Sequence, residues 1–130
     1  MRYLRFVVAR TNEDSGVREG LFQAAARLSR DGILTAIEQR RLDTIEQWFS
    51  KNLKTPARFT RTRNAFHKRT RGIAWFKHTA AEHLRQIREV ALVLEEQGIV
   101  VECIGTERPG YFVYEDEFQV VAEPFADTGA

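Results

Sequence analysis

The sequence predicts an α+β protein: a mixed sheet of four to five strands, with elements in the order β-α-α-β-α-β-β-β and three helices packed mainly on one face. Three observations predict it. Stretches with apolar residues at helical spacing alternate with short runs rich in β-branched and aromatic residues. Two helical stretches follow one another across a single short break. The last third holds three strand-like runs, the final two separated from their neighbours only by turn signals.

The first element is residues 2–9, "RYLRFVVA". Tyr3, Phe6 and Val8 do not share one parity, which fits a strand covered on both faces for part of its length. "TNEDSG" breaks it, and Asp14 or Ser15 is placed to cap a helix. Val17, Leu21, Ala24, Ala25 and Leu28 recur at helical spacing, so a helix is expected from Val17 to about Arg30. Asp31-Gly32 ends it. Thr35-Ala36-Ile37-Glu38 has the capping-box pattern that opens a second helix, striped by Leu42, Ile45, Trp48 and Phe49. The short break between the two predicts an antiparallel helical hairpin.

"GIAWFK", Gly72 to Lys77, reads as a short buried strand. Thr79-Ala80-Ala81-Glu82 is a second capping-box pattern, opening a helix to about Gln97 with Ala80, Leu84, Ile87, Ala91 and Leu94 on one face. Gly98 suits the residue after its end, where a positive φ costs little. "IVVECIG" is the next strand, and strand–helix–strand at this spacing predicts two parallel strands joined by a crossover. Pro109-Gly110 suits a type II turn. "YFVY" and "FQVVA" follow as two strands joined by the acidic "EDE".

A chain of 130 residues fits a single domain, 1–130, that folds without metal or disulfide. Residues 126–130 read as a disordered tail. No apolar run approaches the ~18 residues of a membrane span. "MRYLRFVVAR" lacks the long apolar core and cleavage site of a secretory signal. Cys103 is alone, so no internal disulfide forms, and a cytoplasmic home is expected.

The net charge of +2 is unevenly spread. Residues 47–81 carry nine basic groups and no acid, whereas residues 82–130 carry three basic groups and eleven acids. The centre of this asymmetry is residues 52–71, a basic connection far longer than the usual 2–6 residues. Arg58, Arg61, Arg63, Lys68, Arg69 and Arg71 would repel one another unless solvated or met by anions. The planar guanidinium fork matches phosphate oxygens. Phe66 and His67, with Phe59, could stack on unpaired bases. These residues are the candidate nucleic-acid or anion-binding set. The plain alternative is a solvated charged face, or one neutralised by the acidic residues 115–117 of the same or a second chain.

Other constellations carry less. His78 and His83 stand five apart, about 140° around a helix, whereas the HExxH zinc pattern needs four. His83 borders the apolar face and fits a half-buried structural role, so no metal is expected. Cys103 fits a buried small hydrophobe, and no signature marks a Cys–His nucleophile with His67 or His78. Glu115, Asp116 and Glu117 could serve as acid and base or hold a cation, but consecutive acids in a turn are more often solvated. The glycines are scattered with no phosphate-cradling loop, so no cofactor is expected.

The leading expectation is a small non-enzymatic cytosolic protein whose segment 51–71 binds an anionic partner, RNA or DNA foremost. The second is a protein-interaction module, an inhibitor, immunity or adaptor protein or a homodimer, whose basic segment meets an acidic protein surface. The third is a small nuclease-like enzyme using His67 with arginines as phosphate clamps.

Overall fold

The computed structural model describes residues 1–11, 18–55 and 72–125. Strand β1, Tyr3–Thr11, sends Tyr3, Arg5 and Val7 to one face of a sheet and Leu4, Phe6 and Val8 to the other. Phe6 and Val8 join the helical core, while Tyr3 packs with Ile73, Trp75 and Val120 on the opposite face. Apolar cover on both faces explains why its hydrophobic residues follow no single parity.

Five further strands complete the sheet among the described residues: β2 (Arg18–Gly20), β3 (Ile73–Lys77), β4 (Glu102–Thr106), β5 (Tyr111–Glu115) and β6 (Gln119–Glu123). The path runs β2-β1-β3-β6-β5, with β4 also paired to β1. Tyr3 and Leu4 pair with β3 as well as β4, and Val7 pairs with β2 as well as β4. Strands β2 and β3 therefore share one edge of β1 in succession, and β4 takes the other.

Two expectations need correction. All pairings between described strands are antiparallel, and the sheet has six strands, more than the four to five expected. Strands β3 and β4 do run parallel, because each is antiparallel to β1, but they are not neighbours. β1 is inserted between them, so the helical crossover steps over one strand. The unforeseen strand is β2, where the helical periodicity was expected to begin at Val17. Arg18 instead donates to the Val8 carbonyl at 3.1 Å and to Glu102 at 2.8 Å, holding this short strand against β1. Asp14 and Ser15 lie outside the described residues.

Helices α1 (Leu21–Arg30), α2 (Ala36–Asn52) and α3 (Ala81–Glu96) bury most of the stripes read from the sequence; Trp48 and Ala91 are only partly buried, and Val90 and Val93 join the core unforeseen. Leu21, Ala24, Ala25 and Leu28 of α1 meet Leu42, Ile45 and Phe49 of α2 and Ile87, Val90, Val93 and Leu94 of α3. Phe22, at the start of α1, meets Phe49, at the end of α2, edge-on at 5.0 Å, while the close backbone packing is of α3 against both α1 and α2 and not of the expected α1–α2 hairpin. At α2 the capping box is complete: the Thr35 hydroxyl accepts from Glu38 N–H at 3.1 Å, and the Glu38 carboxylate accepts from Thr35 N–H at 2.9 Å.

The box expected at Thr79 is absent. Ala80 is the N-cap of α3, without a side-chain cap bond, and Glu82 pairs with Arg85 instead. Ala80 N–H and Leu84 N–H bond to the Lys77 and Ala80 carbonyls at 3.0 and 2.9 Å, so backbone turns do the work of the cap. At the other end Gly98 has φ +81°, and Ile99 N–H bonds back to the Leu94 carbonyl at 3.0 Å.

Candidate nucleic-acid interface

The eight residues that the sequence nominates, Arg58, Arg61, Arg63, Phe66, His67, Lys68, Arg69 and Arg71, lie outside the described residues. The described flanks fix where the segment leaves the fold and where it returns. It leaves from the end of α2, carrying exposed Lys51 and Lys54. Two bonds from distant parts of the chain anchor this exit. His83 Nε2–H donates to the Asn52 carbonyl at 2.8 Å, and the Gln119 side-chain amide donates to the Lys54 carbonyl at 2.7 Å.

The segment returns at Ile73, which pairs with Ala122 on β6. Gln119 and Ala122 are three residues apart on one strand, about 10 Å at ~3.4 Å per residue. Both ends are thus tied to the same short strand. Lengthening a loop between fixed ends adds little closure entropy, about 0.6 kcal/mol per doubling, so a long insertion here is thermodynamically cheap.

His83 is only 4% exposed and fits the structural role read from the sequence, though more deeply buried than expected. Its ring lies 4.2 Å from Phe118 and 4.8 Å from Trp48, so an aromatic layer underlies the exit. His78 turns away, with its Nδ1 3.2 Å from the Arg2 backbone nitrogen. The two histidines therefore do not converge.

Residues 115–117 do not behave as a uniform solvated acidic turn. Asp116 accepts from Phe118 N–H at 2.8 Å, Gln119 N–H at 3.1 Å, the Gln119 amide at 3.1 Å and Tyr114 O–H at 2.9 Å. Burial pushes its carboxyl up, but these donors outweigh that and hold it below the ordinary aspartate value. Glu115 pairs with Lys77 at 2.7 Å. Only Glu117, exposed, has no polar partner among the described residues. Asp116 thus closes the hairpin.

A cleft of about 350 Å³ lies at the exit, lined by Ser50 to Lys54 on one side and Asp116, Glu117 and Phe118 on the other. Basic and acidic residues therefore face each other where the basic segment begins. Sequence reasoning missed Asn52, Gln119 and Asp116 as the fixings of this region. Asp116 had a local signal: an aspartate opening a turn can accept from the N–H groups two and three residues on.

Cys103 corrects another expectation, since it is exposed and not buried. It pairs in register with Phe6, on a strand joined to the sheet only through β1 among the described residues. Desolvation of its sulfur pushes the thiol up, against the pull of Arg2 and Arg88. No protein-family model, curated protein or solved structure matches this chain.

Proposed function

We propose that this is a small non-enzymatic cytosolic protein whose segment 51–71 binds nucleic acid, single-stranded RNA or DNA foremost. One observation carries the reading: residues 47–81 hold nine basic groups and no acid, interleaved with phenylalanines and two histidines. That composition supplies phosphate clamps and stacking rings together. The anchored exit at Lys54 and the paired return at Ile73 support it, because a segment held at both ends starts from fixed positions. Binding draws mainly on phosphate contacts and weakens steeply with salt.

Protein purified at low salt should carry nucleic acid, visible as a raised ratio of absorbance at 260 to 280 nm that a high-salt wash removes. Phe66→Ala should weaken binding to a single-stranded oligonucleotide without changing its salt dependence, since stacking releases few counterions. A protein that emerges free of nucleic acid and binds no oligonucleotide at low salt overturns the reading.

A second reading is favoured by the acidic hairpin beside the exit. Glu115 already pairs with Lys77, and Asp116 and Glu117 line the cleft with Lys51 and Lys54. In that reading the basic segment meets an acidic protein surface, such as this hairpin on a second copy. A mass in solution that rises with protein concentration and falls with salt would favour it.

A further inference from the structure

The sheet face turned away from the helices buries two hydrogen-bond donors with no acceptor among the described residues: Arg5 Nη1 and the Trp75 indole Nε1. Such orphans are rare, because a buried unsatisfied donor costs about 1–3 kcal/mol. Here the two residues that carry them stand at adjacent cross-strand positions. Strands β1 and β3 pair at Tyr3 with Lys77 and at Leu4 with Phe76, and the next positions along the two strands are Arg5 and Trp75. Alternation puts both side chains on the face that carries Tyr3, Ile73, Val120 and Ile104. Trp75 is 1% exposed, so bulk solvent does not reach its ring.

Charge makes the deficit larger. Arg5 is half-buried, and its other terminal nitrogen donates to the Arg18 carbonyl at 3.0 Å. That carbonyl is a neutral acceptor, and burial first, then the like charge of Arg18, weigh against the charged form of Arg5. Glu102, in register with Val7 on the adjoining strand, is taken by Arg18 at 2.8 Å. A guanidinium withdrawn from water beside a second one calls for an anion. One water could satisfy the two N–H groups, but it brings no charge to offset that of Arg5, for which no ion pair is found among the described residues.

We infer that Arg5 and Trp75 form a binding site for a small oxyanion, phosphate foremost, whose oxygens accept from Arg5 Nη1 and Trp75 Nε1. Guanidinium and phosphate match in geometry, and a charge-assisted bond in a low-dielectric site is stronger than one at the surface. The indole N–H selects for an acceptor and adds no charge. The site lies on a different surface from the exit of segment 51–71, and it stands whether or not that segment binds nucleic acid. The anion is either free phosphate or the terminal phosphate of a nucleotide chain.

The test is nuclear magnetic resonance of the two indole N–H groups in the ¹⁵N-labelled wild-type protein, assigned with Trp75→Phe. Sodium phosphate is titrated against sodium chloride at matched ionic strength. A 5′-phosphorylated dinucleotide is compared with its unphosphorylated form. The Trp75 signal should move saturably with phosphate while the Trp48 signal stays, and the melting temperature should rise with phosphate. Arg5→Lys keeps the charge but removes the fork, and should abolish both responses. Movement with the phosphorylated dinucleotide alone supports the site and identifies a terminal phosphate as its ligand. No saturable movement with either probe, or equal movement of Trp48, overturns it. The wild-type titration decides even if the variants fail to fold.

Discussion

Thr35 and Thr79 open the same four-residue pattern, and only one of them caps a helix. Thr35→Ala should therefore cost about 0.5–2 kcal/mol in urea unfolding, the usual range for a lost N-cap oxygen. Thr79→Ala should stay within about 0.5 kcal/mol of wild type, as expected of a side chain with no such bond. Equal losses at the two positions would show that Thr79 caps α3 after all. The difference was not legible locally. It depends on Ala80 and Leu84 bonding into backbone turns from Lys77, which only the placement of β3 decides. Asp116 gives a pH prediction. Its folded value is lowered, so its contribution to stability is fully present above the unfolded aspartate value of about 3.9 and is lost as pH falls through the folded value. The urea midpoint should drop as the solution is acidified below about pH 4, and Asp116→Asn should flatten that drop. An unchanged acid profile in Asp116→Asn would mean that the hairpin does not depend on the carboxylate.

Among the elements, the helices were the most legible and the pairing of strands the least. Leu21, Ala24, Ala25 and Leu28 declare one face of α1 because the 3.6-residue period is local. Strand order is not local. Nothing within "GIAWFK" or "IVVECIG" says that Tyr3–Val7 will lie between them, and the crossover reading gave their directions without the intruding strand. The strand Arg18–Gly20 hid because three residues held by Arg18 carry no periodicity. A positive φ at Gly110 was legible, though its value lies well beyond the about +80° of the expected type II turn, and the fold adds a second constraint on it. Gly110 has φ +139°, and a Cβ there would sit 2.1 Å from the Glu123 carbonyl oxygen. Gly110→Ala should push β5 away from β6 and cost more than about 1 kcal/mol, since both the backbone conformation and the space are wrong for a side chain. Hydrogen exchange should then report faster opening at Tyr111, Phe112 and their β6 partners than elsewhere in the sheet. Uniform protection across the sheet would contradict this account of the turn.

For the molecule as a whole, the charge asymmetry was legible from composition alone: nine basic groups and no acid in residues 47–81, then eleven acids in the remainder. What composition could not give is where the basic segment is fixed. The bond between Gln119 and Lys54 spans 65 residues of sequence, and that between His83 and Asn52 spans 31. Such pairs leave no trace at either position. Together they place the exit of the segment against the acidic hairpin, which is why the nucleic-acid and protein-interaction readings both start from the same residues. Salt dependence separates them most directly. The wild-type protein and a variant with Arg61, Arg63, Arg69 and Arg71 replaced by Gln are each titrated with a fluorescent single-stranded RNA across a range of salt concentrations. The account predicts wild-type binding whose log K falls linearly with log salt, and a variant with an unchanged circular dichroism spectrum, weaker binding and a shallower slope. Each lost phosphate contact removes about 0.7 from that slope, so two lost contacts change it by roughly 1.4. A wild-type protein that binds no RNA at low salt, or a variant that binds as tightly and with the same slope, would contradict it.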